Sequence, residues 1–361
     1  MTKLFGRDYT RKELQSFVGN TAQLGGIRPM ELSAGRERGV RGFEVSTGSG
    51  FEFTVLADRA LDVTRASFRG RSLSYLSPAG QAHPSYYEPR GLGWLRTFPG
   101  GLLATCGLAY MGAPCVDEGE ELGLHGRVGT LPMEEVGYWC EWEGDELWMH
   151  IRGALTEGVI FGNPLRLSRH IFTRLGGNSI RFEDTVENLG GQPTPHMMLY
   201  HFNLGFPFLS PVSKLISNTL NIKPRDAEGA KGIAQYAEFQ PPTPGYAEQV
   251  FYHDLATDND GDARVALVNP QLDGGLGVFL RYHKKTLPRF IQWKMMGYGS
   301  YVLGLEPANA YVTGRAAERA QGTLPVLQPG ETRTCNLEIG VLDGVEEIEA
   351  FERAVKLGGA P

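Results

Sequence analysis

The sequence predicts an all-β protein with a short helix near each end. Most of the chain consists of short segments that alternate or run apolar between turn residues, which is typical of β-strands. The 361 residues include 48 glycines and 22 prolines without a fixed period, as expected where many turns join short strands. Helical spacing of apolar residues is found only near the two ends.

Each terminal helix is predicted by a capping box that is followed by apolar residues at helical spacing. Thr-Arg-Lys-Glu at 10–13 is the first capping box, and Asp-Gly-Val-Glu at 343–346 is the second. The first predicts a short helix within a lead-in of about residues 1–40. The second predicts a helix over about residues 343–357.

The segments that predict strands lie between these helices. They are residues 42–56, 147–153, 165–174, 179–187, 196–204, 263–268, 277–283, 289–294 and 300–305. The loops at 188–191 and 241–245 have strand segments of similar composition on both sides, so neither is typical of a linker. We therefore expect a single domain over residues 1–361.

Charge and hydropathy exclude several classes of partner. The net charge is −6 and the chain has no run rich in lysine or arginine, so it lacks the electrostatic pattern of a nucleic-acid or anionic-membrane protein. The first residues lack the apolar stretch of a secretory signal, and no segment approaches 18 apolar residues. We expect a cytoplasmic protein with a small-molecule partner, and the oligomeric state stays open.

A carboxylate in an apolar strand is the leading candidate for a functional group. Glu306 ends the run Tyr-Val-Leu-Gly-Leu at 301–305, where a buried charge must be paired or functional. Strand alternation puts it on the same face as Gly304, which we expect to leave open space for a ligand. The alternative is a structural glutamate bonded to a neighbouring arginine.

Two further candidates lie beside glycines. His125 stands between Gly-Leu and Gly-Arg, and such small neighbours would leave its imidazole uncovered and free to reach a ligand. Arg96 precedes the glycine pair at 100–101, where the backbone could approach a ligand and the guanidinium could hold its hydroxyls. The alternatives are a core histidine and a solvent-facing or salt-bridged arginine.

Two predicted strands carry polar side chains at the expected site. His201 and Asn203 share one face of the segment 196–204, and His196 is a weaker alternative for the same role. On the segment 289–294, Trp293 offers an aromatic plane that could stack on a sugar ring, while Gln292 and Lys294 share the other face. The alternative is a core tryptophan with solvated Gln and Lys.

Metal and nucleotide chemistry have no support in the sequence. The chain has no HxH pair, no HExxH and no clustered acidic loop, so no metal site is expected. It also lacks the GxSxG, P-loop and GxGxxG motifs in their strand-to-helix setting. We expect no cofactor.

Taken in order, these residues give the sequence a family resemblance. It resembles the aldose 1-epimerase (galactose mutarotase-like) family, in particular a divergent bacterial branch, over roughly residues 40–340. The motifs that carry the resemblance are Leu-His-Gly at 124–126, Tyr-His-Phe-Asn-Leu at 200–204, Gly-Leu-Glu-Pro at 304–307, Arg96 before Pro-Gly-Gly, and the pair Gln292-Trp293.

The sequence departs from the family pattern at two places. The family's second histidine usually stands where this chain has Leu199, whereas His201 stands two positions later on the same strand face. The sugar-binding aspartate of the family is not obvious either. Glu248 and Asp254 are the two candidates for that role.

The resemblance implies a fold and a function. The fold would be a large antiparallel β-sandwich, the galactose mutarotase-like supersandwich, and the function would be interconversion of sugar anomers without a cofactor. Glu306 would act as general base and His201 as general acid. The residues that would bind the sugar are Arg96, His125, Arg127, Asn203, Glu248, Asp254, Gln292, Trp293 and Lys294.

Two other functions are compatible with the same residues. The first is a non-catalytic carbohydrate-binding protein, since a fold does not fix an activity. The second is an epimerase or isomerase of an acidic or phosphorylated sugar, whose anion could pair with Lys294, Arg127 or Arg315.

Overall fold

The computed structural model describes residues 1–356, which are mainly β-strand. The strands are β1 (Thr2–Leu4), β2 (Arg7–Tyr9), β3 (Gly26–Glu31), β4 (Arg41–Ser46), β5 (Phe51–Leu56), β6 (Asp62–Phe68), β7 (Arg71–Ser72), β8 (Tyr75–Leu76), β9 (Gly100–Gly101), β10 (Leu103–Cys106), β11 (Cys115–Asp117), β12 (Glu120–Leu122), β13 (Glu135–Glu143), β14 (Glu146–Glu157), β15 (Leu165–Arg174), β16 (Ser179–Asn188), β17 (Thr194–Pro195), β18 (Leu199–Gly205), β19 (Lys214–Ser217), β20 (Thr219–Pro224), β21 (Gln249–Leu255), β22 (Asp262–Asn269), β23 (Leu276–His283), β24 (Arg289–Gly297), β25 (Ser300–Ala308), β26 (Val326–Leu327) and β27 (Thr332–Asp343).

The helices are short and lie mostly at the surface. The α-helices are α1 (Arg11–Phe17), α2 (Ala227–Gly232), α3 (Arg315–Ala320) and α4 (Val345–Lys356), and the 3₁₀ helices are Thr21–Gln23, Gly35–Glu37, Pro84–Tyr86, Gly93–Arg96, Val128–Thr130 and Ile233–Gln235. The predicted capping box is present at α1, where the Thr10 hydroxyl accepts from the Glu13 amide and the Glu13 carboxylate accepts from the Thr10 amide.

Three antiparallel sheets make up most of the fold. An eight-stranded sheet has the order β13-β14-β15-β16-β27-β23-β22-β19, a six-stranded sheet has the order β10-β18-β25-β24-β21-β20, and a five-stranded sheet has the order β3-β4-β5-β6-β7. Ile171 and Leu337 of the largest sheet belong to the same apolar cluster as Phe202 and Leu303 of the six-stranded sheet. This packing confirms the predicted antiparallel sandwich with short helices.

A fully buried ion network ties the six-stranded sheet to the eight-stranded sheet. Arg169 on β15 donates to Asp184 on β16 and to Asp62 on β6. The Tyr200 hydroxyl on β18 donates to Asp184 Oδ2 at 2.8 Å. Because side chains alternate, anchoring Tyr200 on the inner face fixes the outward direction of His201 on the same strand.

Several element boundaries differ from the sequence prediction. The segment 42–56 forms two strands, β4 and β5, because the Thr-Gly-Ser-Gly stretch at 47–50 turns the chain into a hairpin. Helices α2 and α3 were not predicted, since each has only six residues. The predicted C-terminal helix is confirmed as α4, and residue 357 lies outside the described residues.

His196 is a buried histidine that we expect to destabilise the protein in acid. It is fully buried, neither ring nitrogen has a hydrogen-bond partner within residues 1–356, and burial, with a smaller effect of Arg333, lowers its pKa to about 3. The unfolded chain takes up this proton near pH 6.5, so the contribution to stability is intact above that pH and decreases as the pH falls toward 3.

A substitution by leucine tests this linkage. His196→Leu should leave the free energy of unfolding at pH 8 nearly unchanged and should remove about 2 kcal/mol of the loss between pH 8 and pH 5. Urea unfolding at the two pH values measures this difference. Identical acid sensitivity in the variant and the wild type would show that His196 is already charged in the folded protein.

Candidate active site

A cavity of about 480 Å³ lies on the outer face of the six-stranded sheet, away from the main core. It has the size of a small-molecule site. Its lining comprises Leu92, Trp94, Leu95, Phe98, Gly112, Ala113, Pro114, Leu124, His125, His201, Arg225, Glu248, Val250, Ile291, Trp293, Glu306 and Val312. The fold therefore brings together five of the residues selected from the sequence: His125, His201, Glu248, Trp293 and Glu306.

A larger groove of about 900 Å³ lies on the five-stranded sheet. Its lining includes the exposed side chains of Arg28, Glu44, Glu52 and Arg65. No residue in this lining is a buried titratable group lacking a partner, among those that the structure describes. The smaller cavity is therefore the better candidate for chemistry.

Strand register places His201 beside Glu306. Strands β18 and β25 are antiparallel, with Leu199 opposite Ala308 and Phe202 opposite Leu305, so His201 and Glu306 are neighbours on one face. His201 Nε2 lies 3.3 Å from Glu306 Oε1, and the two residues are only 5% and 2% exposed. The contact does not have hydrogen-bond geometry, but it places both groups within reach of the same ligand atoms.

Two atoms of this pair have unused hydrogen-bonding capacity. Glu306 Oε1 and His201 Nδ1 are buried and have no hydrogen-bond partner among residues 1–356. Buried polar atoms in folded proteins are normally paired, and exceptions are common at functional sites. Both residues line the cavity, so a ligand there can supply the missing partners.

Burial controls the charge of the pair. It raises the pKa of Glu306 well above its usual range, with a further contribution from the negative charge of Glu248 and an opposing one from Arg225. It lowers the pKa of His201 well below its usual range, and His125 adds to that effect. Both residues therefore favour their neutral forms, so the pair holds one proton, which rests on Glu306.

The expectation that Gly304 leaves space for a ligand is wrong. A Cβ atom at this position would overlap Glu306 Oε1 and would lie 2.9 Å from Trp293 Cβ. The space beside the glycine is therefore filled by the catalytic candidate itself. Gly304 allows the Glu306 carboxylate to lie over the strand and reach His201.

The imidazole of His125 is half-buried and lines the cavity, but the neighbouring glycines do not provide the open space that the sequence suggested. Cβ atoms at Gly123 and Gly126 would collide with the backbone carbonyls of Pro89 and Gly107, so these glycines allow close backbone packing. The imidazole packs against Trp94, whose ring centroid lies 4.8 Å away. Its Nδ1 nevertheless has no partner among residues 1–356, and the ring lines the cavity.

His125 is uncharged at neutral pH. Burial, together with the nearby positive charge of Arg225, lowers its pKa to about 4. The ring centroids of His125 and His201 are 5.8 Å apart, so a proton on one would repel a proton on the other. A neutral imidazole can both donate to and accept from the hydroxyl of a ligand.

Arg225 is a cavity residue that sequence reasoning missed. Its Nη2 donates to Glu248 Oε1 at 2.9 Å, and its Nε donates to Asp226 Oδ2 at 2.7 Å. Glu248 Oε2 in turn accepts from Trp293 Nε1 at 2.8 Å. This chain of contacts fixes the indole in the cavity. Arg225 follows the end of β20 in an ordinary loop, so the local sequence carries no signal of its role.

Three of the predicted binding residues, Arg96, Asp254 and Arg127, lie outside the cavity. Arg96 is on the surface, where its side chain is 72% exposed and contacts Glu88. Asp254 pairs with Lys284, so Glu248 is the only one of the two acidic candidates that reaches the cavity. Arg127 is half-buried and does not line the cavity.

Gln292, Lys294 and Asn203 are buried but do not line the cavity. Gln292 bonds His253 and the Tyr236 carbonyl, and Lys294 Nζ donates to the Gln235 carbonyl. Alternation on β24 turns both side chains away from the face that carries Trp293. Asn203 donates to the His201 carbonyl at 2.8 Å, which supports the strand beside the site.

Residues 37–341 match a family that is described as a domain of unknown function (DUF4432). The chain belongs to this family. No curated protein matches it in sequence. The matched range covers all the cavity residues of this DUF4432 protein, and the family description names no activity.

Solved structures show where this DUF4432 fold belongs. It is similar to a "putative aldose 1-epimerase" from Klebsiella pneumoniae subsp. pneumoniae, with TM-score 0.88 and 24% identity over 94% of this chain and 91% of that one. It is also similar to a galactose mutarotase-like protein from Clostridium acetobutylicum, with TM-score 0.64 and 11% identity over 90% and 100% of the two chains.

A third similar structure is galactose 1-epimerase from Lactobacillus acidophilus, with TM-score 0.56 and 12% identity over 89% of this chain and 100% of that one. At such identities these likenesses establish the fold. They confirm the resemblance to aldose 1-epimerase and galactose mutarotase-like proteins, and the separate family model is consistent with a divergent branch.

The part of the chain that the structure describes has neither a cluster of metal ligands nor a membrane-spanning helix. Over residues 1–356, no group of three or more His, Cys, Asp or Glu side chains is arranged to hold a metal ion. None of the helices in that range has both the length and the apolar character needed to cross a bilayer.

Proposed function

We propose that the protein interconverts the anomers of a free sugar by opening and closing the sugar ring. The observation that carries this proposal is the contact of 3.3 Å between His201 Nε2 and Glu306 Oε1 in a buried cavity. Ring opening needs one group that removes the proton of the anomeric hydroxyl and another that protonates the ring oxygen. A buried pair that holds one proton supplies both.

The proton on the pair moves during the cycle. With Glu306 as base and His201 as acid, the cyclic sugar is opened by the form that has a carboxylate and an imidazolium. Opening transfers one proton to Glu306 and one from His201, which leaves both groups neutral. After rotation about the C1–C2 bond, ring closure passes the proton of the ring-forming hydroxyl to His201 and the proton of Glu306 to the new anomeric hydroxyl, and either anomer is released.

The resting protein favours the neutral form, because burial disfavours both charges. If Glu306 is the base and His201 is the acid, one proton must therefore move from Glu306 to His201 before the ring opens. The same geometry also permits the reverse assignment, in which protonated Glu306 is the acid. Since ring closure is the reverse of ring opening, each residue acts once as acid and once as base in a full cycle.

Neighbouring side chains position the sugar. The Trp293 indole is held by Glu248 and lies edge-on to His201 with ring centroids 5.3 Å apart. It offers a flat apolar surface to the C–H face of a sugar ring. His125 has a free Nδ1 for a hydroxyl, and Asn203 supports the backbone of His201.

The alternative that the substrate is an acidic or phosphorylated sugar has less support from the cavity residues. Arg315 pairs with Asp117 and Glu120, Lys294 lies on the opposite face of its strand, and Arg127 does not line the cavity. Arg225 does line the cavity, but it is already paired with Asp226 and Glu248. An anion would therefore meet one guanidinium group and two carboxyl groups there, those of Glu248 and Glu306.

A non-catalytic carbohydrate-binding protein would use Trp293 and His125 in the same way. It would have no use for a buried carboxylic acid without partners, because such a group costs stability.

We also propose that residues 1–361 form one domain, since the main apolar cluster includes residues from all three large sheets.

The proposal is tested by NMR saturation exchange between the two anomeric protons of free sugars. The panel contains neutral, deoxy, acidic and phosphorylated sugars, each compared with its own rate in buffer. We expect exchange of at least one neutral sugar to be accelerated, and Glu44→Gln, at an exposed position on β4, serves as the matched control with unchanged rate. If no sugar exchanges faster than in buffer, the enzymatic function is wrong.

The pH dependence of kcat/KM follows from the two pKa directions. The active pair holds one proton, so activity is lost when the pair gains a second proton at low pH and when it loses its only proton at high pH. Burial lowers the pKa of His201 and raises the pKa of Glu306. We therefore expect kcat/KM to stay constant as the pH passes through the ordinary imidazole pKa of about 6.5. A fall in rate with a midpoint near pH 6.5 would contradict the neutral pair.

A further inference from the structure

The wall of the cavity is more apolar than the binding of a fully hydroxylated sugar would require. Apolar side chains surround the Glu306–His201 pair, and they are Leu92, Trp94, Leu95, Phe98, Leu124, Val250, Ile291 and Val312. Leu92 and Leu95 are 60% and 50% exposed, so the apolar surface continues to the mouth of the cavity.

Few polar side chains are available to bind hydroxyl groups. Five charged or imidazole side chains line the cavity: His125, His201, Arg225, Glu248 and Glu306. Arg225 and Glu248 are bound to one another, and Glu248 also accepts from the Trp293 indole. His201 and Glu306 are committed to the anomeric hydroxyl and the ring oxygen in the proposed reaction. Of the five, His125 then remains to bind another hydroxyl, through its buried and unpaired Nδ1.

A buried hydroxyl without a hydrogen-bond partner weakens binding, because it has given up its bonds to water. A common hexopyranose has four hydroxyls besides the anomeric one, whereas His125 is the cavity side chain outside the Glu306–His201 pair that has a buried unpaired atom within residues 1–356. A sugar with a hydrogen in place of one hydroxyl meets the apolar wall at lower cost. The balance of polar and apolar groups therefore selects against a fully hydroxylated ligand.

We infer that the cavity takes a deoxy sugar, a monosaccharide in which at least one non-anomeric hydroxyl is replaced by hydrogen. This inference rests on the proposed function for the assignment of the anomeric carbon to the Glu306–His201 pair. It adds the substrate class of that site. The selectivity resides in the apolar wall, whereas the chemistry resides in the pair.

The test compares sugars that differ by one hydroxyl. Anomeric exchange is measured for D-galactose and D-glucose beside their 2-deoxy and 6-deoxy forms, and each rate is divided by the spontaneous rate of the same sugar. At least one deoxy sugar should show a kcat/KM about 5- to 100-fold above that of its parent. Equal or higher values for the parent in every comparison would overturn the inference.

Measurements of sugar affinity distinguish a failure of this inference from a failure of the proposed function. Trp94 and Trp293 line the cavity, so indole fluorescence reports the affinity for each sugar without turnover. If no sugar is exchanged but a deoxy sugar binds more tightly than its parent, the proposed function fails and the selectivity stands. If turnover occurs without any preference in rate or affinity for a deoxy sugar, the function stands and the selectivity is wrong.

Two substitutions test whether the apolar wall causes the preference. Val312→Thr adds a hydroxyl with little change of volume, and Leu95→Asn adds an amide at the exposed mouth. Each should lower the ratio of deoxy to parent kcat/KM, because a polar partner becomes available for a hydroxyl. An unchanged ratio in both variants would overturn the assignment of selectivity to the wall.

Discussion

Glu306→Gln is expected to reduce the enzyme-dependent rate of anomer exchange by roughly 10²- to 10⁴-fold. The amide has the shape of the protonated carboxyl but cannot pass a proton to or from the sugar. Sugar affinity should stay nearly intact, since the apolar wall and Trp293 are unchanged. Saturation exchange measures the rate, and indole fluorescence measures the affinity.

The variant should also remain folded. Glu306 favours its neutral form in the buried site, so a neutral amide replaces a neutral acid at neutral pH. The thermal unfolding midpoint is therefore expected to stay close to that of the wild type. Glu44→Gln is the control for loss of a carboxylate elsewhere on the chain. A variant at position 306 that keeps the wild-type rate would remove this residue from the mechanism.

Gly304→Ala is expected to reduce the exchange rate by about tenfold or more, although residue 304 touches no sugar atom in the proposed mechanism. Its Cβ would overlap Glu306 Oε1 and press on Trp293 Cβ, so the carboxylate must move away from His201. A displacement of about 1 Å at a catalytic group can cost up to about a hundredfold in rate. Overpacking should also destabilise the fold by about 1–3 kcal/mol.

A second strand glycine provides the control for Gly304→Ala. Gly137 on β13 has open space where a Cβ would lie, so Gly137→Ala should leave both the rate and the stability nearly unchanged. The two variants are compared by saturation exchange and by urea unfolding. Full activity in Gly304→Ala would mean that the position of the Glu306 carboxylate is not set by the missing side chain.

The fold and the centre of the site were predictable from local pattern. Alternation on the segments containing His201 and Glu306 gave the correct face for each residue, because one side of that sheet packs on the main core. The resemblance to a known family supplied the order of the motifs. Strand pairing then places the two residues side by side, which no spacing in the sequence could establish.

The remaining site residues depended on contacts between distant segments. Arg225 lies in the cavity because β20 pairs at the edge of the six-stranded sheet, next to β21 and Glu248. Arg96 was expected at the site because of the glycine pair near it, but this pair packs against β8 and β6 instead of a ligand. Neither pairing leaves a trace in the local sequence.

The assumption that glycines near the site leave open space was wrong at Gly304, Gly123 and Gly126. The glycines beside Glu306 and His125 were taken as open space, but closely packed interiors rarely leave such space empty. At Gly304 the space holds the Glu306 carboxylate, and at Gly123 and Gly126 it holds backbone carbonyls. A glycine in a buried segment predicts close approach of some group, and the structure is needed to say which one.

The central claim is that Glu306 and His201 act as one proton-transferring unit, and a double-mutant cycle tests it most directly. Anomeric saturation exchange is measured for the wild type, Glu306→Gln, His201→Asn and the double variant. The wild type should exceed the buffer rate, and the double variant should lose no more than either single variant, because each change disables the same unit. A wild-type rate equal to that of buffer, or losses that multiply in the double variant, would contradict the claim.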